Sequence, residues 1–396
     1  MQLIEACLES GAEVRAVSPC QLNTYSEALE KLGVPVAQIR PNDSRFDAFL
    51  QEYQPEVVIF DRFMIEEQFS WRVREVCPDA LRVLDTCDLH SLRRARQRGA
   101  ESGEGSFVSP LHSELVTDDS VREIASIHRS DLSLVISEAE LSYLTDRAGI
   151  QPERLHYCPL YYREVPPSPA FDSRRNFVSI GNFNHPPNSD SFRWLHSCLW
   201  NPIRNEILRR TSTPCELHIY GAYPSESFLS LDNSTSGFRV MGRAKDLVNT
   251  LGHYRVNLAP LRFGAGLKGK ILDGWASGTP CVSTSIGAEG IGDGTTFGGR
   301  VTDDPTLFVE SAVELYLDAA RWENAHLTGI AIINRRFTRS VHAPAFIESL
   351  KIAVQLRDKR RQTNLVGAML WHHLNRSTEY MSRWIEAKNK LLARSQ

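Results

Sequence analysis

Two lysines and an aspartate, Lys268, Lys270 and Asp273, stand beside closely spaced glycines in the second half of the chain. A glycine-rich loop that leads into a helix can present backbone N–H groups to a phosphate, and lysine side chains add full positive charges at the same place. Lys270 and Asp273 are three residues apart, so on a helix they point to the same side. A cation there suits a phosphate, and a carboxylate there suits a pair of sugar hydroxyls.

The sequence around these side chains predicts a strand, a loop, a helix and a second strand. Residues 256–261 form a short apolar run of strand length, and Gly264, Gly266 and Gly269 follow it. Large apolar residues then recur every four positions over 267–275, which is the spacing of one helix face. We therefore expect the glycines to shape the loop between this strand and this helix.

The loop also fits three other interpretations. It satisfies the dinucleotide-binding pattern G-x-G-x-x-G, but the acid expected at the end of the next strand would be Glu289, which lies beyond that strand. It satisfies the start of a P-loop, G-x-x-x-x-G-K, but Ile271 stands where Ser or Thr should hold Mg²⁺. The third interpretation is that Lys270 and Asp273 form only a surface salt bridge, worth less than about 1 kcal/mol.

The whole stretch resembles the donor-site segment of family-4 glycosyltransferases, which have the GT-B fold. Members carry P-x-x-x-G-x-G-x-K-x-K-hydrophobic-x-E/D, then small-x-G-x-P-hydrophobic-V, and then a G-x-E-G turn. The residues of this chain that match these motifs, in order, are Pro260, Gly264, Gly266, Lys268, Lys270, Asp273, Gly278, Pro280, Val282, Gly287, Glu289 and Gly290. The resemblance implies that Glu289 and the loop glycines line a site for a nucleotide-diphosphate sugar.

The resemblance also implies separate roles for the charged residues. Lys270 would bind the diphosphate and act in catalysis, Lys268 would add charge, and Asp273 would bind the ribose hydroxyls. It further implies transfer with retention of anomeric configuration. No D-x-D sequence occurs in the chain, so we expect no metal and no other cofactor. One departure is Ala265, which stands where many members carry an acid.

The first strand of the donor domain is expected to end at Gly181, with Asn182 opening the loop that follows. By the same resemblance this loop lies near the diphosphate, and many members hold the phosphates with an Arg and a Lys in it. The loop has neither here. Lys268, Lys270 and Arg262 are therefore expected to supply the charge.

The first half of the chain alternates helices with short apolar strands, which predicts a parallel α/β sheet. Two of these strands, Val57–Asp61 and Leu81–Asp85, end in an aspartate. Because sites in parallel sheets lie beyond the carboxyl ends of the strands, we expect Asp61 and Asp85 at such an edge.

A cluster of polar residues follows the second of these strands: Asp85, Asp88 and His90, and then several arginines. The pattern V-x-D-x-x-D-hydrophobic-H-x-x-R-x-x-R resembles the acceptor-domain block of certain family-4 relatives. In those proteins a histidine of the N-terminal domain faces the sugar that is transferred. His90 matches it, so we expect Asp85, Asp88 and His90 on the acceptor side and a catalytic role for His90.

The predicted fold is GT-B: two Rossmann-like parallel-sheet domains that face a cleft, with C-terminal helices that cross back to the first. We expect an acceptor-side domain over 1–160, a proline-punctuated linker over 161–175, the donor domain over 176–345 and a helical extension over 346–396. The chain starts inside what resembles the first helix. The first strand of the N-terminal sheet is therefore expected to be missing.

Composition excludes several classes of protein. With 396 residues, 42% hydrophobic and 23% charged, the chain is long enough for two ordinary globular domains. Its net charge of -3 does not favour nucleic acid as a partner. Eight cysteines without a C-x-x-C indicate neither a zinc site nor a redox pair, and they favour a cytoplasmic location.

The partners follow from these interpretations. We expect a nucleotide-sugar donor and an acceptor that is a glycan, a lipid or a protein. The basic run 357–362 predicts either a solvated face or weak contact with an anionic membrane surface. Two alternatives to the transferase remain: a non-catalytic GT-B relative that binds a nucleotide-sugar or a partner protein, and a nicotinamide-dependent dehydrogenase.

Overall fold

The structure, a computed structural model, divides into two compact α/β units. The residues that the structure describes are 1–22, 24–103, 116–166, 171–292 and 296–394. The first unit comprises Met1–Cys87, Val116–Cys158 and Val341–Gln396, and the second comprises Asp88–Leu115 and Pro159–Ser340. Elements are numbered along the chain through both units.

The first unit contains two parallel sheets. β1 pairs with β2 in one sheet, and the other has the order β3-β4-β5-β6. The strands are β1 Ala16–Ser18, β2 Val36–Gln38, β3 Val57–Asp61, β4 Leu81–Asp85, β5 Leu132–Val135 and β6 Leu155–Tyr157. β4 and β5 are almost wholly buried, as is typical of strands covered on both faces. The missing first strand stays a prediction.

The first unit also contains helices from the early and the late parts of the chain. The early ones are α1 Gln2–Glu9, α2 Thr24–Lys31, α3 Arg45–Tyr53, α4 Phe63–Val76, α6 Asp118–Arg129 and α7 Glu138–Asp146. The late ones are α16 Arg339–Thr363, α17 Leu365–Leu370 and α18 Arg376–Arg394. A single wide turn, Trp371–Asn375, joins α17 to α18. Among the described residues, no helix is long and apolar enough to cross a membrane.

The second unit is built on one six-stranded parallel sheet of order β12-β11-β10-β7-β8-β9. Its strands are β7 Arg175–Ile180, β8 Leu217–Tyr220, β9 Phe238–Gly242, β10 Tyr254–Ala259, β11 Cys281–Ser283 and β12 Gly299–Val301. β7 and β10 lie side by side in the middle of the sheet, so the loops after them leave it at neighbouring points. The main core packs against this sheet and includes Phe177, Trp200 and Phe308.

The helices of the second unit include one from the middle of the first half of the chain. They are α5 His90–Ser102, α8 Pro186–Trp194, α9 Trp200–Thr211, α10 Glu226–Leu229, α11 Leu247–Leu251, α12 Gly269–Ala276, α13 Ser285–Ala288, α14 Pro305–Leu317 and α15 Ala319–Arg336. α12 ends as the sequence predicts, because Gly278 has a φ of 71° that favours glycine and Pro280 follows it. Trp275 of α12 is fully buried and bonds to the backbone oxygen of Gly298 at 2.8 Å.

The units differ from the predicted domains in two places. Residues 88–103, expected in the N-terminal domain, group with the second unit because an arginine of α5 binds the glycine loop. The helices from Val341 onward, expected partly in the donor domain and partly in a separate extension, group with the first unit. Part of the expected linker, 167–170, lies outside the described residues.

Candidate functional site

The loop between β10 and α12 is folded around Lys268. Gly266 has a φ of 64°, and Gly264 has a φ of 155°. A Cβ on Gly264 would lie 3.1 Å from Cε of Lys268, which is closer than ordinary packing allows. The Lys268 ammonium donates to the backbone oxygen of Gly266 at 2.6 Å, and only 8% of the residue is exposed. The glycines therefore allow the loop to close over a buried positive charge.

Lys270 is bonded to the first turn of α8, which follows the loop after β7. Its Nζ donates to Oδ1 of Asn188 at 2.7 Å, and Nδ2 of Asn188 donates to the backbone oxygen of Asn182 at 3.1 Å. Burial lowers the pKa of Lys270 to about 7, Lys268 lowers it further and Cys281 opposes the shift. The ammonium therefore has a neutral partner, and an anionic ligand would favour its charged form.

Gly181 leaves the space that the side chain of Asn188 occupies. A Cβ on Gly181 would lie 2.5 Å from Cγ and Nδ2 of Asn188, so a larger residue would displace that amide. The side chain of Asn182 accepts from the backbone N–H of Asn184 at 2.8 Å, which shapes the same loop. The structure thus connects the predicted donor residues Gly181, Asn182 and Lys270 through one side chain that the sequence did not indicate.

Asp273 lies one turn after Lys270 on α12 and has a partner of its own. The hydroxyl of Tyr162 donates to Oδ1 of Asp273 at 2.7 Å. Burial raises the pKa of Asp273 to about 6, against the lowering effect of this hydrogen bond. Since the bonds of Lys270 and Asp273 go to different side chains, the structure does not support the interpretation as a simple salt bridge. Ile271 is fully buried between them, so it cannot act as the metal-binding residue of a P-loop.

Glu289 is bound by Arg96 of α5. Two N–H groups of Arg96 donate to its carboxylate at 2.7 and 2.6 Å, and the guanidinium also donates to the backbone oxygen of Gly264 at 2.8 Å. Burial acts to raise the pKa of Glu289, but Arg96, with a smaller contribution from Lys268, outweighs it and leaves the pKa below its ordinary value. Arg96 therefore ties α5 to both the glycine loop and the turn after α13.

His90 begins α5 and lies in the same neighbourhood. It is buried, and its Nε2 is 3.5 Å from Oδ1 of Asp88, which also pairs with Arg93. The charges that act on His185, in the loop after β7, come from Arg93, Asp88, Lys270 and His90. Burial, followed by Arg93, lowers the pKa of His185 to about 4. His90, His185 and Lys270 all belong to the second unit.

Arg262 is already paired. Its Nε donates to Oδ2 of Asp190 at 2.9 Å, and its guanidinium lies 5.8 Å from the ring centre of Trp194. Asp190 lies inside α8, whose first turn begins at Pro186. The positive charges at the N-terminus of α12 are those of Lys268 and Lys270.

One family model matches part of the chain. Residues 174–318 match the family described as Glycosyl transferases group 1. This segment contains β7, the loop with Asn188, the glycine loop, α12 and Glu289. No curated protein matches the chain.

Solved structures match both units. HepE of Anabaena, solved with UDP and glucose, is 12% identical with a TM-score of 0.64, and the match covers 89% of this chain and 95% of that chain. Sucrose-phosphate synthase of Thermosynechococcus elongatus is 14% identical with a TM-score of 0.60, and the match covers 90% and 92%. The chain has the GT-B fold. The family match to 174–318 lies within the second unit.

Some GT-B structures are longer than this chain. S. aureus TarM is 10% identical with a TM-score of 0.56, and the match covers 77% of this chain but only 57% of TarM. The pneumococcal O-GlcNAc transferase GtfA, solved with UDP and GlcNAc, is 14% identical with a TM-score of 0.57, and the match covers 78% and 60%. The chain therefore spans little more than half the length of these two relatives.

The predicted acceptor-side residues of this GT-B protein fall in different units. Asp88 and His90 belong to the second unit, whereas Asp85 belongs to the first. Asp85 accepts from the backbone N–H of Cys87 at 3.1 Å, and Asp61 accepts from the Cys87 thiol at 3.1 Å. Burial raises the pKa of Asp85, and the charge of Asp61 adds to the shift.

Four side chains at this site were not singled out from the sequence: Asn188, Tyr162, Arg96 and His185. Asn188 and His185 lie in the polar loop that was expected near the diphosphate, so their neighbourhood was indicated but not their roles. Tyr162 acts on a residue 111 positions away, and Arg96 on one 193 positions away. No short-range pattern reveals contacts of that kind.

Proposed function

We propose that this protein transfers a sugar from a nucleotide-diphosphate sugar to an acceptor, with retention of configuration and without a metal. The observation that carries the proposal is the convergence of Lys268 and Lys270 at the first turn of α12, with Asp273 on the same helix. The family match to 174–318 includes all three residues. HepE and GtfA, which share the fold, were solved with UDP and a sugar, and this supports the same class of donor here.

The chemistry follows from the charge distribution. During transfer the bond between the anomeric carbon and the diphosphate oxygen breaks, a bond to the acceptor oxygen forms, and the acceptor proton passes to the departing diphosphate. The leaving diphosphate gains negative charge in the transition state. Fixed cations and the N-terminal N–H groups of α12 stabilise that charge more than the ground state, which is the requirement for catalysis.

The two lysines replace the metal in this proposal. Metal-dependent transferases use a divalent cation to neutralise the diphosphate, and the D-x-D sequence that holds it does not occur in this chain. Lys268 and Lys270 provide two positive charges next to a helix N-terminus, which is a suitable site for an anion. Retention of configuration rests on the resemblance to family-4 enzymes alone.

His90 and Asp273 would act at opposite ends of the donor. The Asp273 carboxylate would accept hydrogen bonds from the ribose hydroxyls, while Tyr162 keeps it oriented. His90 would lie near the transferred sugar, as the resemblance to the acceptor-domain block implies, and it belongs to the same unit as Lys270. Asp85 remains a proposed acceptor-side residue on the first unit. The acceptor is a glycan, a lipid or a protein.

A panel of nucleotides tests the proposal. The melting temperature is measured with UDP, GDP, ADP and NAD, for the wild type, Lys270→Ala and Lys351→Ala. Lys351 is an exposed lysine of α16 and serves as the matched control. We expect one of the diphosphates to stabilise the wild type and the control, and to stabilise Lys270→Ala much less. Stabilisation by NAD alone would favour the dehydrogenase and contradict the proposal.

A further inference from the structure

The C-terminal helices of the first unit expose an apolar surface. Large apolar side chains of α17 and α18 are 49–73% exposed, a level unusual for residues of this type. They are Leu365, Val366, Met369, Tyr380, Met381, Trp384, Leu391 and Leu392, and together they are called here the α17–α18 surface. It contains eight exposed apolar side chains on two consecutive helices, whereas ordinary protein surfaces expose such residues singly.

α18 is docked on the unit by its polar side. Ser382 is buried, and Arg72 of α4 donates to its hydroxyl at 3.4 Å and to Glu386 at 3.2 Å. Arg383 adds an ion pair with Glu75 of the same helix α4. A surface helix of a globular protein normally buries its apolar stripe and exposes its polar one. α18 has the reverse arrangement, so its apolar side is directed away from the unit that holds it.

The outward residues of α18 form a continuous stripe. Tyr380, Trp384, Lys388 and Leu392 recur every four positions, which places them in one line along the helix. The ammonium of Lys388 lies 5.3 Å from the ring centre of Trp384. A tryptophan with a lysine beside it is typical of helices at the boundary between lipid headgroups and acyl chains.

Charge is sorted between the two sides of the same helices. The two acids of α17 and α18, Glu379 and Glu386, have side chains that are only 20% and 16% exposed, and both face the unit. Every exposed residue that the structure describes in 365–393 is apolar, uncharged, histidine or basic. Arg376 and Lys388 are among the exposed ones. The outward side is thus apolar and positive, with no acid.

We propose that the α17–α18 surface binds an anionic lipid bilayer, with both helices lying in the plane of the headgroups. The apolar residues would enter the headgroup boundary, and the basic residues would contact anionic lipids. A second copy of this chain fits the surface less well, because two surfaces of the same positive sign would then face each other. The helices lie on the membrane and do not cross it.

The basic run 357–362, which the sequence offered for this role, is used differently. Arg361 donates to Asp131 at 2.6 Å and to the backbone oxygens of Pro78 and Ala80 at 2.6 and 2.7 Å. Arg357 bonds to the backbone oxygen of Asp79. These arginines fasten α16 to the first unit. The lipid contact therefore belongs to the helices that follow the run.

Vesicle co-sedimentation tests the proposal. The full chain is mixed with vesicles of phosphatidylcholine alone or of phosphatidylcholine with phosphatidylglycerol, at low and high salt. We expect binding to the anionic vesicles that weakens as salt is added. Met381→Ser/Trp384→Ser should reduce it by about tenfold or more, because two apolar side chains no longer enter the membrane. Arg376→Glu/Lys388→Glu should reduce it by roughly 30-fold or more.

Controls separate lipid binding from damage to the fold. Leu307→Ser/Leu327→Ser changes two exposed leucines of the second unit and should leave vesicle binding unchanged. The substituted surface residues are exposed, so circular dichroism spectra and melting temperatures of all variants should match the wild type. Sedimentation velocity without vesicles is measured in parallel. Wild-type protein that binds neutral and anionic vesicles equally would overturn the proposal. So would a wild-type dimer that binds no vesicles and that dissociates only in Met381→Ser/Trp384→Ser.

Discussion

Lys270 and Asp273 have pKa values that burial shifts toward each other. The pKa of Lys270 is lowered to about 7, so its ammonium is present below that pH and is lost above it. The pKa of Asp273 is raised to about 6, so its carboxylate is present above that pH and is lost below it. A ligand that needs both charges therefore finds both side chains ionised only between about pH 6 and 7.

This range predicts a bell-shaped pH dependence of donor affinity. Affinity for the nucleotide-sugar should be highest between about pH 6 and 7, fall as the pH rises through the pKa of Lys270, and fall as it drops through that of Asp273. Titration calorimetry over a pH series measures it. In Asp273→Asn the acidic limb should disappear and the basic limb should remain. A wild-type profile that is flat across both pKa values would contradict the assignment.

Asp273 should act on binding rather than on the chemical step. Its proposed contact with the ribose is equally present before and during the reaction. Asp273→Asn should therefore raise the KM for the donor and leave kcat nearly unchanged. Tyr162→Phe, which removes only the hydroxyl that orients Asp273, should change KM in the same direction and by less. A fall in kcat with unchanged KM in Asp273→Asn would place this carboxylate at the reacting centre instead.

At the scale of elements, Arg96 joins three parts of the second unit. It lies on α5 and binds Glu289 and the glycine loop with almost no exposure of its own. Glu289 is bound in its ionised form, and its pKa is lowered in the folded protein. The stability from this pair is therefore present above the ordinary pKa of a glutamate and is lost as the pH falls through the lower, folded value.

Arg96→Ala should destabilise the protein more than the loss of one contact suggests. It leaves Glu289 partly buried without its cation, which costs about 3 kcal/mol. Arg96→Ala/Glu289→Gln should recover part of that loss, because the uncompensated charge is removed as well. Urea unfolding at neutral pH gives the free energy of unfolding of the wild type, Arg96→Ala, Glu289→Gln and the double variant. Strictly additive effects would show that the two side chains do not stabilise each other.

The elements themselves were largely predictable from the sequence. β3 and β4 have the predicted bounds, because each is a mainly apolar segment that ends in Asp. β6 and β12 were not predicted, since each has only three residues and none of them is fully buried. The stretch 99–109 is rich in Gly and Ser, which favours a loop, but α5 continues through its first part to Ser102, and residues 104–109 lie outside the described residues.

The candidate site was predictable in its main-chain frame but not in its side-chain partners. Glycines and lysines at fixed spacing indicated the loop after β10, and the spacing of Lys270 and Asp273 placed both on α12. The partners Asn188, Tyr162 and Arg96 come from other elements. Such contacts depend on how distant segments pack, and that packing is not encoded in any short motif.

At the scale of the whole molecule, nucleotide binding should affect the two units differently. All residues proposed to bind the nucleotide lie in the second unit, in the loops after β7 and β10, in α12 and in the turn after α13. Hydrogen exchange with and without the diphosphate that the nucleotide panel selects should show protection confined to these segments. The strands β3 to β6 should exchange at the same rate in both states. Protection that is strongest in the first unit would show that the nucleotide binds elsewhere.

The central claim is that Lys270 stabilises the leaving diphosphate. The most direct measurement is the rate of nucleoside diphosphate release from the selected nucleotide-sugar, compared among wild type, Lys270→Ala and the exposed-lysine control Lys351→Ala. We expect turnover by the wild type, an equal rate for the control, and a kcat lower by roughly 10²- to 10³-fold for Lys270→Ala, with an unchanged circular dichroism spectrum. Wild-type kinetics in Lys270→Ala would contradict the claim and place the donor phosphates away from α12.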